Sequence, residues 1–269
     1  MSFDIIIPVT ERNLNTLELV VAQLRKCIKC KSIIVIGQEK LRVYAKELGV
    51  TFMDEDSVFD NMTLSRIKSL IASRDKIALK RAGWYFQQFL KLAYAFKCKD
   101  EYYLSWDADT ILLKEIGMFD IDGHPIFDIK DEYHKPYFST MNKLFKGEVK
   151  REFDYSFISE HMIFSVQLVL KMLEEIESNE YLDGTVFYER ILNAVNTIDL
   201  LESGFSEFET YGNYVTRFFP DYYRLRQLKS ERNGDKVFGY FDTSHIDIDL
   251  LAQKYDIVTF ENRDNREKV

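Results

Sequence analysis

Tyr102-Tyr103-Leu104-Ser105-Trp106-Asp107-Ala108-Asp109 reads as a buried strand that ends in two carboxylates, with Ile111-Leu112-Leu113 following. A strand end in an open α/β sheet is where ligands gather. Two acids two residues apart there form a natural seat for a hard divalent cation, which takes oxygen ligands and keeps positions open for phosphate. The pair therefore points to chemistry on a phosphorylated donor. Asp-x-Asp also occurs at Asp54/Asp56, Asp120/Asp122 and Asp247/Asp249. The plain reading of each of those is a solvated turn or a helix start, where Asp is favoured. Position after an apolar, aromatic strand in mid-chain separates Asp107/Asp109 from the others.

Upstream of that strand the pattern alternates. Residues 3–9 read as a first strand, and Leu14, Leu17, Val20, Val21, Leu24 and Ile28 then recur at helical spacing. Residues 32–36 form a second strand closed by Gly37. A short helix over about 39–48 stops at Gly49, and 50–53 is a third strand. This β-α-β-α-β order predicts a parallel sheet with helices on both faces. Residues 54–80 are less regular, and a strong helix from Trp84 to Phe96 leads into the 102–106 strand. Downstream, 114–160 reads as loop-rich and long enough for an acceptor site or a lid. Helices are expected within 162–177, over 185–196, over 206–218 up to Pro220, and at about 247–254. Strands are expected at 237–241 and 256–260. With no repeat, low-complexity tract or Pro/Gly linker, one domain over 1–269 is the simplest reading.

Composition narrows the function classes. The 269 residues are 46% hydrophobic and 30% charged, ordinary for a globular chain with a sizeable core. The net charge of −8, without a basic block, argues against a dedicated nucleic-acid binder. It also makes an anionic donor hard to hold without a cation. The first apolar stretch, Ile5 to Val9, is too short for a signal peptide, and no run reaches the roughly 20 apolar residues of a membrane span. A cytoplasmic location is expected, extending at most to peripheral contact at the inner face of the membrane. The aromatic, basic stretch of Tyr222, Tyr223, Arg224, Arg226 and Lys229 is the segment to consider for such contact, although a solvated helix end explains it as well. Cys27, Cys30 and Cys98 fit a reducing compartment, and Cys27-x-x-Cys30 ends a helical pattern where a redox motif would open one.

Several residues join the acidic pair as candidates. Gln88 and Lys91 share a helix face just before the strand, and Arg81 precedes them. These three suit a diphosphate, while a solvated amphipathic face is the plainer alternative. Glu207 and Glu209 open the 206–218 helix, where a carboxylate near an acceptor can take a hydroxyl proton. Ser206 with Glu209 also matches a capping box, which makes Glu207 the freer acid. Glu160 and His161 are candidates for acceptor contacts, and His245 for a third metal ligand. Phosphate loops, G-x-G-x-x-G, H-E-x-x-H and G-x-S-x-G are absent.

Five segments together carry a family resemblance: Ile6-Ile7-Pro8-Val9-Thr10, Gly83 to Lys91, Trp106-Asp107-Ala108-Asp109-Thr110, Ser159-Glu160-His161-Met162 and Ser206 to Gly212. With them the chain resembles a GT-A-fold nucleotide-sugar glycosyltransferase. It looks similar to a poorly characterised bacterial family of the DUF type, linked to surface-polysaccharide synthesis. The resemblance implies a single GT-A-like (Rossmann-like) α/β domain with a mixed, mainly parallel central sheet flanked by helices. Residues to about 110 would bind the nucleotide sugar, and about 111–269 would bind the acceptor and carry catalysis. It implies a UDP-sugar foremost as donor, a glycan or lipid-linked acceptor, and Mn²⁺ or Mg²⁺ as cofactor. Pro8, Val9 and Thr10 would line the nucleoside pocket. Asp109 would bridge the metal to the diphosphate, and Asp107 would hold the ribose or assist the metal. Glu207 would be the base if the transfer inverts configuration; for retention no clear nucleophile is visible. A haloacid-dehalogenase-like phosphatase also places Asp-x-Asp at a strand end, but its pattern continues Gly-Thr near a domain start, whereas Thr110-Ile111 follows here. A non-catalytic nucleotide-sugar-binding protein of the same fold is the other alternative.

Overall fold

A computed structural model describes residues 1–234 and 246–260. Its centre is a five-stranded sheet in the order β3-β2-β1-β4-β7. The strands are β1 (Phe3–Pro8), β2 (Ser32–Gly37), β3 (Thr51–Asp54), β4 (Tyr102–Trp106) and β7 (His161–Ser165). The first four run parallel, and β7 lies antiparallel against β4. The sheet is thus mixed and mainly parallel, with helices packed on it. All six residues of β1 are buried because β1 is the middle strand, paired on both edges and covered on both faces. Asp4, the one charge in that run, is satisfied by Ser32 Oγ at 2.5 Å and Tyr94 OH at 2.9 Å.

The helices follow their apolar periods. They are α1 (Leu14–Cys27), α2 (Arg42–Glu47), α3 (Leu64–Ala72), α4 (Ala82–Ala93), α5 (Lys135–Leu144), α6 (Val166–Ser178), α7 (Phe187–Ala194) and α8 (Glu207–Phe218). In α1, Leu17, Val20, Val21 and Leu24 are buried, as their spacing predicts. Gly49 ends α2 with φ of +63°, a left-handed conformation that costs a glycine little.

Two differences from the sequence reading have local causes. Residues 161–165 form an edge strand before α6, because Met162-Ile163-Phe164 pairs with β4 and Ser165 then caps the helix by accepting from Leu168 N–H. The 54–80 and 114–160 stretches also hold regular elements, α3, β6 (Ile126–Asp128) and α5, and β5 (Thr110–Leu112) directly follows Asp109. They were hard to foresee because β5 and β6 are three residues each and pair with distant partners. β5 pairs with β10 (Ile257–Thr259), which also pairs with β9 (Ser230–Glu231). β6 pairs with β8 (Arg224–Arg226). The expected 256–260 strand is β10, and the helix expected at 247–254 is Ile248–Ala252. The expected strand at 237–241 lies outside the described residues.

Strand order turns at one place. Chain progress runs from β1 outward through β2 to β3, then returns to the other side of β1 with β4. The crevice outside the carboxyl ends of β1 and β4 is the topological switch point, the favoured ligand site of an open parallel sheet. Val9 and Thr10 leave β1 there, and Asp107-Ala108-Asp109 leaves β4.

Candidate functional site

The four Asp-x-Asp pairs separate cleanly. Asp54 accepts from Asp56 N–H, Asp120 from Asp122 N–H, and Asp247 caps the last short helix through Leu250 N–H. Those three are turn and cap residues. Asp107 and Asp109 instead follow β4 at the switch point. Their loop is fastened on three sides. Asp107 N–H donates to Glu160 C=O at 2.9 Å, Thr16 Oγ1 donates to Ala108 C=O at 2.7 Å, and Phe260 N–H donates to Asp109 C=O at 2.9 Å. α1, β10 and the entry to β7 therefore hold one short loop.

Lys91 is the centre of the charge arrangement. Its ammonium lies 2.6 Å from Asp107 Oδ1 and 2.7 Å from Glu207 Oε1, and 4.2 Å above the Phe208 ring. The Lys91 and Glu207 side chains are 3% and 2% exposed, and that of Asp107 is 25% exposed. Burial alone would lower the Lys91 pKa, but Asp107 and Glu207 outweigh it and raise it. Burial raises both acids against the pull of Lys91. One lysine is thus shared between two carboxylates, and Arg232 adds a further positive charge acting on Asp107. Gln88 Oε1 accepts from Glu207 N–H at 3.1 Å and fixes the start of α8.

The structure therefore brings Gln88, Lys91, Asp107 and Glu207 together from α4, β4 and α8. Lys91, expected to face the donor, is enclosed by the two acids. Arg81 lies beside Trp84, with its guanidinium carbon 4.6 Å from the ring centroid, and bonds Ser203. Partly buried Tyr137 has its hydroxyl pKa raised, by burial first and then by Glu207. Glu209 turns away from this group. Its carboxylate accepts from Phe157 N–H at 2.6 Å and from Asn213 Nδ2 at 3.1 Å, and burial pushes its pKa up to about 7. Ser206 caps α8 as expected, accepting from Glu209 N–H at 3.2 Å. The reciprocal half of the capping box is replaced by the bond to Phe157.

Glu160 and His161 are buried, at 3% and 2% exposure. Glu160 is held by Arg232 at 2.6 Å and Lys130 at 3.2 Å, which outweigh burial and lower its pKa. His161 stacks on Trp106, its register partner, with ring centroids 4.5 Å apart. Its Nε2 lies 2.7 Å from Asp128, which Arg226 grips through two 2.7 Å bonds. Burial opposes that charge, but Arg226 and His161 hold the Asp128 pKa down at about 2. Sequence reading missed Thr16, Lys130, Asp128 and Arg232, and considered Arg226 only for membrane contact. Asp128 and Arg226 meet through the β6–β8 register, which no local pattern encodes.

The carboxylates of Asp107 and Asp109 suit a hard divalent cation. His245, the expected third ligand, lies outside the described residues. Among the described residues, the one group of three close potential ligands is Asp120, Asp122 and His124. Asp120 is already engaged there by His124 and by Arg224 at 3.5 Å.

Fold and site define an α/β protein with a largely buried, lysine-centred acidic cluster at the switch point of a mixed, mainly parallel sheet. The chain belongs to DUF6492, a family of unknown function, whose profile matches residues 1–253. No curated protein matches its sequence. Among solved structures it is similar to mouse xyloside xylosyltransferase 1, at 11% identity and TM-score 0.47, over 98% of this chain and 99% of that one. It is also similar to the galactosyltransferase LgtC in complex with donor and acceptor sugar analogues, at 12% identity and TM-score 0.44, over 97% and 88%. GlyE of Streptococcus pneumoniae TIGR4, a glycosyltransferase, matches at 12% identity and TM-score 0.40, over 98% of this chain and 55% of that one. Among the described residues no helix is long and apolar enough to cross a membrane.

Proposed function

We propose that this protein is a metal-dependent glycosyltransferase. It would move a sugar from a nucleotide-sugar donor, a UDP-sugar foremost, to a glycan or lipid-linked acceptor in bacterial surface-polysaccharide synthesis at the cytoplasmic side. The observation that carries the reading is the convergence of Asp107, Lys91 and Glu207 beside Asp109, at the carboxyl ends of β1 and β4. An acidic strand end at a switch point suits a metal–diphosphate head group.

In this reading residues to about 110 hold the donor, and the rest supplies the acceptor site and the base. Asp109 and Asp107 hold Mn²⁺ or Mg²⁺, with His245 as a further ligand. Such an ion supplies Lewis-acid stabilisation of the leaving nucleoside diphosphate. Pro8, Val9 and Thr10 line the nucleoside side of the crevice. Arg81 and Gln88 sit toward the donor, while Lys91 keeps the first turn of α8 at a fixed distance from β4. Glu160 and His161 shape the acceptor side from beneath. For transfer with inversion, Glu207 takes the acceptor's hydroxyl proton; burial raises its pKa, which strengthens it as a base. Glu209 supports the loop at Phe157.

The test is release of nucleoside diphosphate from UDP-, GDP- and CDP-sugars with Mn²⁺, comparing wild type with Glu207→Gln. Wild type should turn over one nucleotide class, and the variant should bind that donor but lose about 10²-fold or more in rate, the usual scale for a general base. No release from any donor contradicts the reading; release within a few-fold of wild type removes Glu207 from the mechanism.

A further inference from the structure

A group of aromatic rings, Tyr133, Phe153 and the partly buried Tyr155, stands at the edge of the core. Tyr133 is 52% exposed and Phe153 is 40% exposed. Phe153 and Tyr155 stack nearly parallel, with centroids 5.0 Å apart and planes at 11°. Arg151 joins the two sides: its guanidinium lies 4.3 Å from the Tyr133 ring centroid, and its Nε donates to Phe153 C=O at 3.0 Å. Single exposed aromatics are ordinary, but a contiguous group rimmed by polar side chains marks a binding surface.

A chain of hydrogen bonds links these rings to the candidate site. Glu132, next to Tyr133, accepts from Arg232 Nη1 at 2.8 Å, and Arg232 Nε donates to Glu160 at 2.6 Å. Glu160 C=O in turn holds Asp107 N–H. At the other end, the Tyr155 ring packs edge-on against Phe157, whose N–H anchors Glu209 at the start of α8.

We infer that Tyr133, Phe153 and Tyr155 form a sugar-stacking subsite that seats the acceptor glycan. The occupant rests on the glycosyltransferase reading above. A pyranose ring has an apolar C–H face that is electron-poor, and an aromatic face is electron-rich. Hydroxyls at the ring edge then find Arg151 and Glu132 as charged hydrogen-bond partners. An anionic lipid surface fits less well, because Asp131, Glu132, Glu152 and Asp154 flank the rings against Lys150 and Arg151.

The experiment compares wild type, Tyr133→Ala/Phe153→Ala and Tyr133→Phe on a printed array of defined oligosaccharides. Thermal shift with UDP and Mn²⁺, and co-sedimentation with phosphatidylglycerol vesicles, run alongside. Wild type and Tyr133→Phe should retain a defined set of glycans, and the double variant should lose at least about tenfold in signal, with melting temperature and UDP shift unchanged. Retention of no glycan by wild type, equal retention by the double variant, or a loss confined to vesicle binding would each overturn the subsite. If wild type shows no UDP shift but glycan retention still depends on the two rings, the transfer reading fails and the subsite stands.

Discussion

Replacing Lys91 by Met removes one charge from a nearly closed triad while keeping most of its volume over Phe208. The Lys91 and Glu207 side chains are 3% and 2% exposed and 2.7 Å apart, so Glu207 has almost no access to water. Removing one partner of such a buried pair costs about 3–5 kcal/mol, against roughly 0–1 kcal/mol for an exposed pair. For a domain of this size that is a fall of roughly 6–20 °C in melting temperature. The loss should depend on pH. Without Lys91 the Glu207 carboxyl is raised further, so the folded state binds a proton that the unfolded state releases. The cost is therefore absent below the unfolded carboxyl pKa of about 4.3 and grows as pH rises above it. Adding Glu207→Gln removes the stranded charge and should restore at least half of the loss, because Asp107 retains some solvent. Urea denaturation of the two single variants and the double variant, at pH 5 and pH 8, measures all of this. A loss under about 1 kcal/mol at pH 8, or strictly additive losses, would refute the enclosed triad.

Two glycines and one buried acid give further checks. A Cβ on Gly212 would stand 2.3 Å from the Phe157 ring, so Gly212→Ala should cost about 1–3 kcal/mol through overpacking, read as a lower urea midpoint. Gly83, also helical, has nothing within 4 Å of an added Cβ, and Gly83→Ala should gain about 0.5–1 kcal/mol in the same assay. Glu209 has its pKa raised to about 7 by burial, so the folded state binds more protons than the unfolded one between the ordinary carboxylate range and pH 7. Its contribution to stability falls as pH rises through that window, and Glu209→Gln should flatten the decline between pH 5 and pH 8.

Apart from α3, the half of the fold before Asp109 was legible because its elements are local. β1 is a continuous apolar run, α1 shows a clear helical period, and Gly49 stops α2 where the sequence places the stop. The acidic strand end was legible for the same reason, since burial of β4 follows from its own residues. The second half depends on long-range pairing. β5 meets β10 across most of the chain, and β6 meets β8 about a hundred residues later, so three-residue strands carried little signal of their own. Gln88 and Lys91 were visible as one helix face, Asp107 as a strand end and Glu207 as a helix start. That Lys91 would bridge both acids was not visible, because α8 approaches α4 only in the folded chain. The exposed rings at Tyr133 and Phe153 were hidden among many core aromatics of the same type.

Thermal shift of wild type and Asp109→Ala with UDP, GDP and CDP, each with and without Mn²⁺, tests metal-assisted donor binding most directly. A nucleotide at about 100 times its dissociation constant adds roughly 2.7 kcal/mol, or about 5–11 °C here. A shift for one nucleotide class that requires Mn²⁺ and vanishes in Asp109→Ala is the predicted result. No shift with any nucleotide, or the same shift in Asp109→Ala, would contradict it.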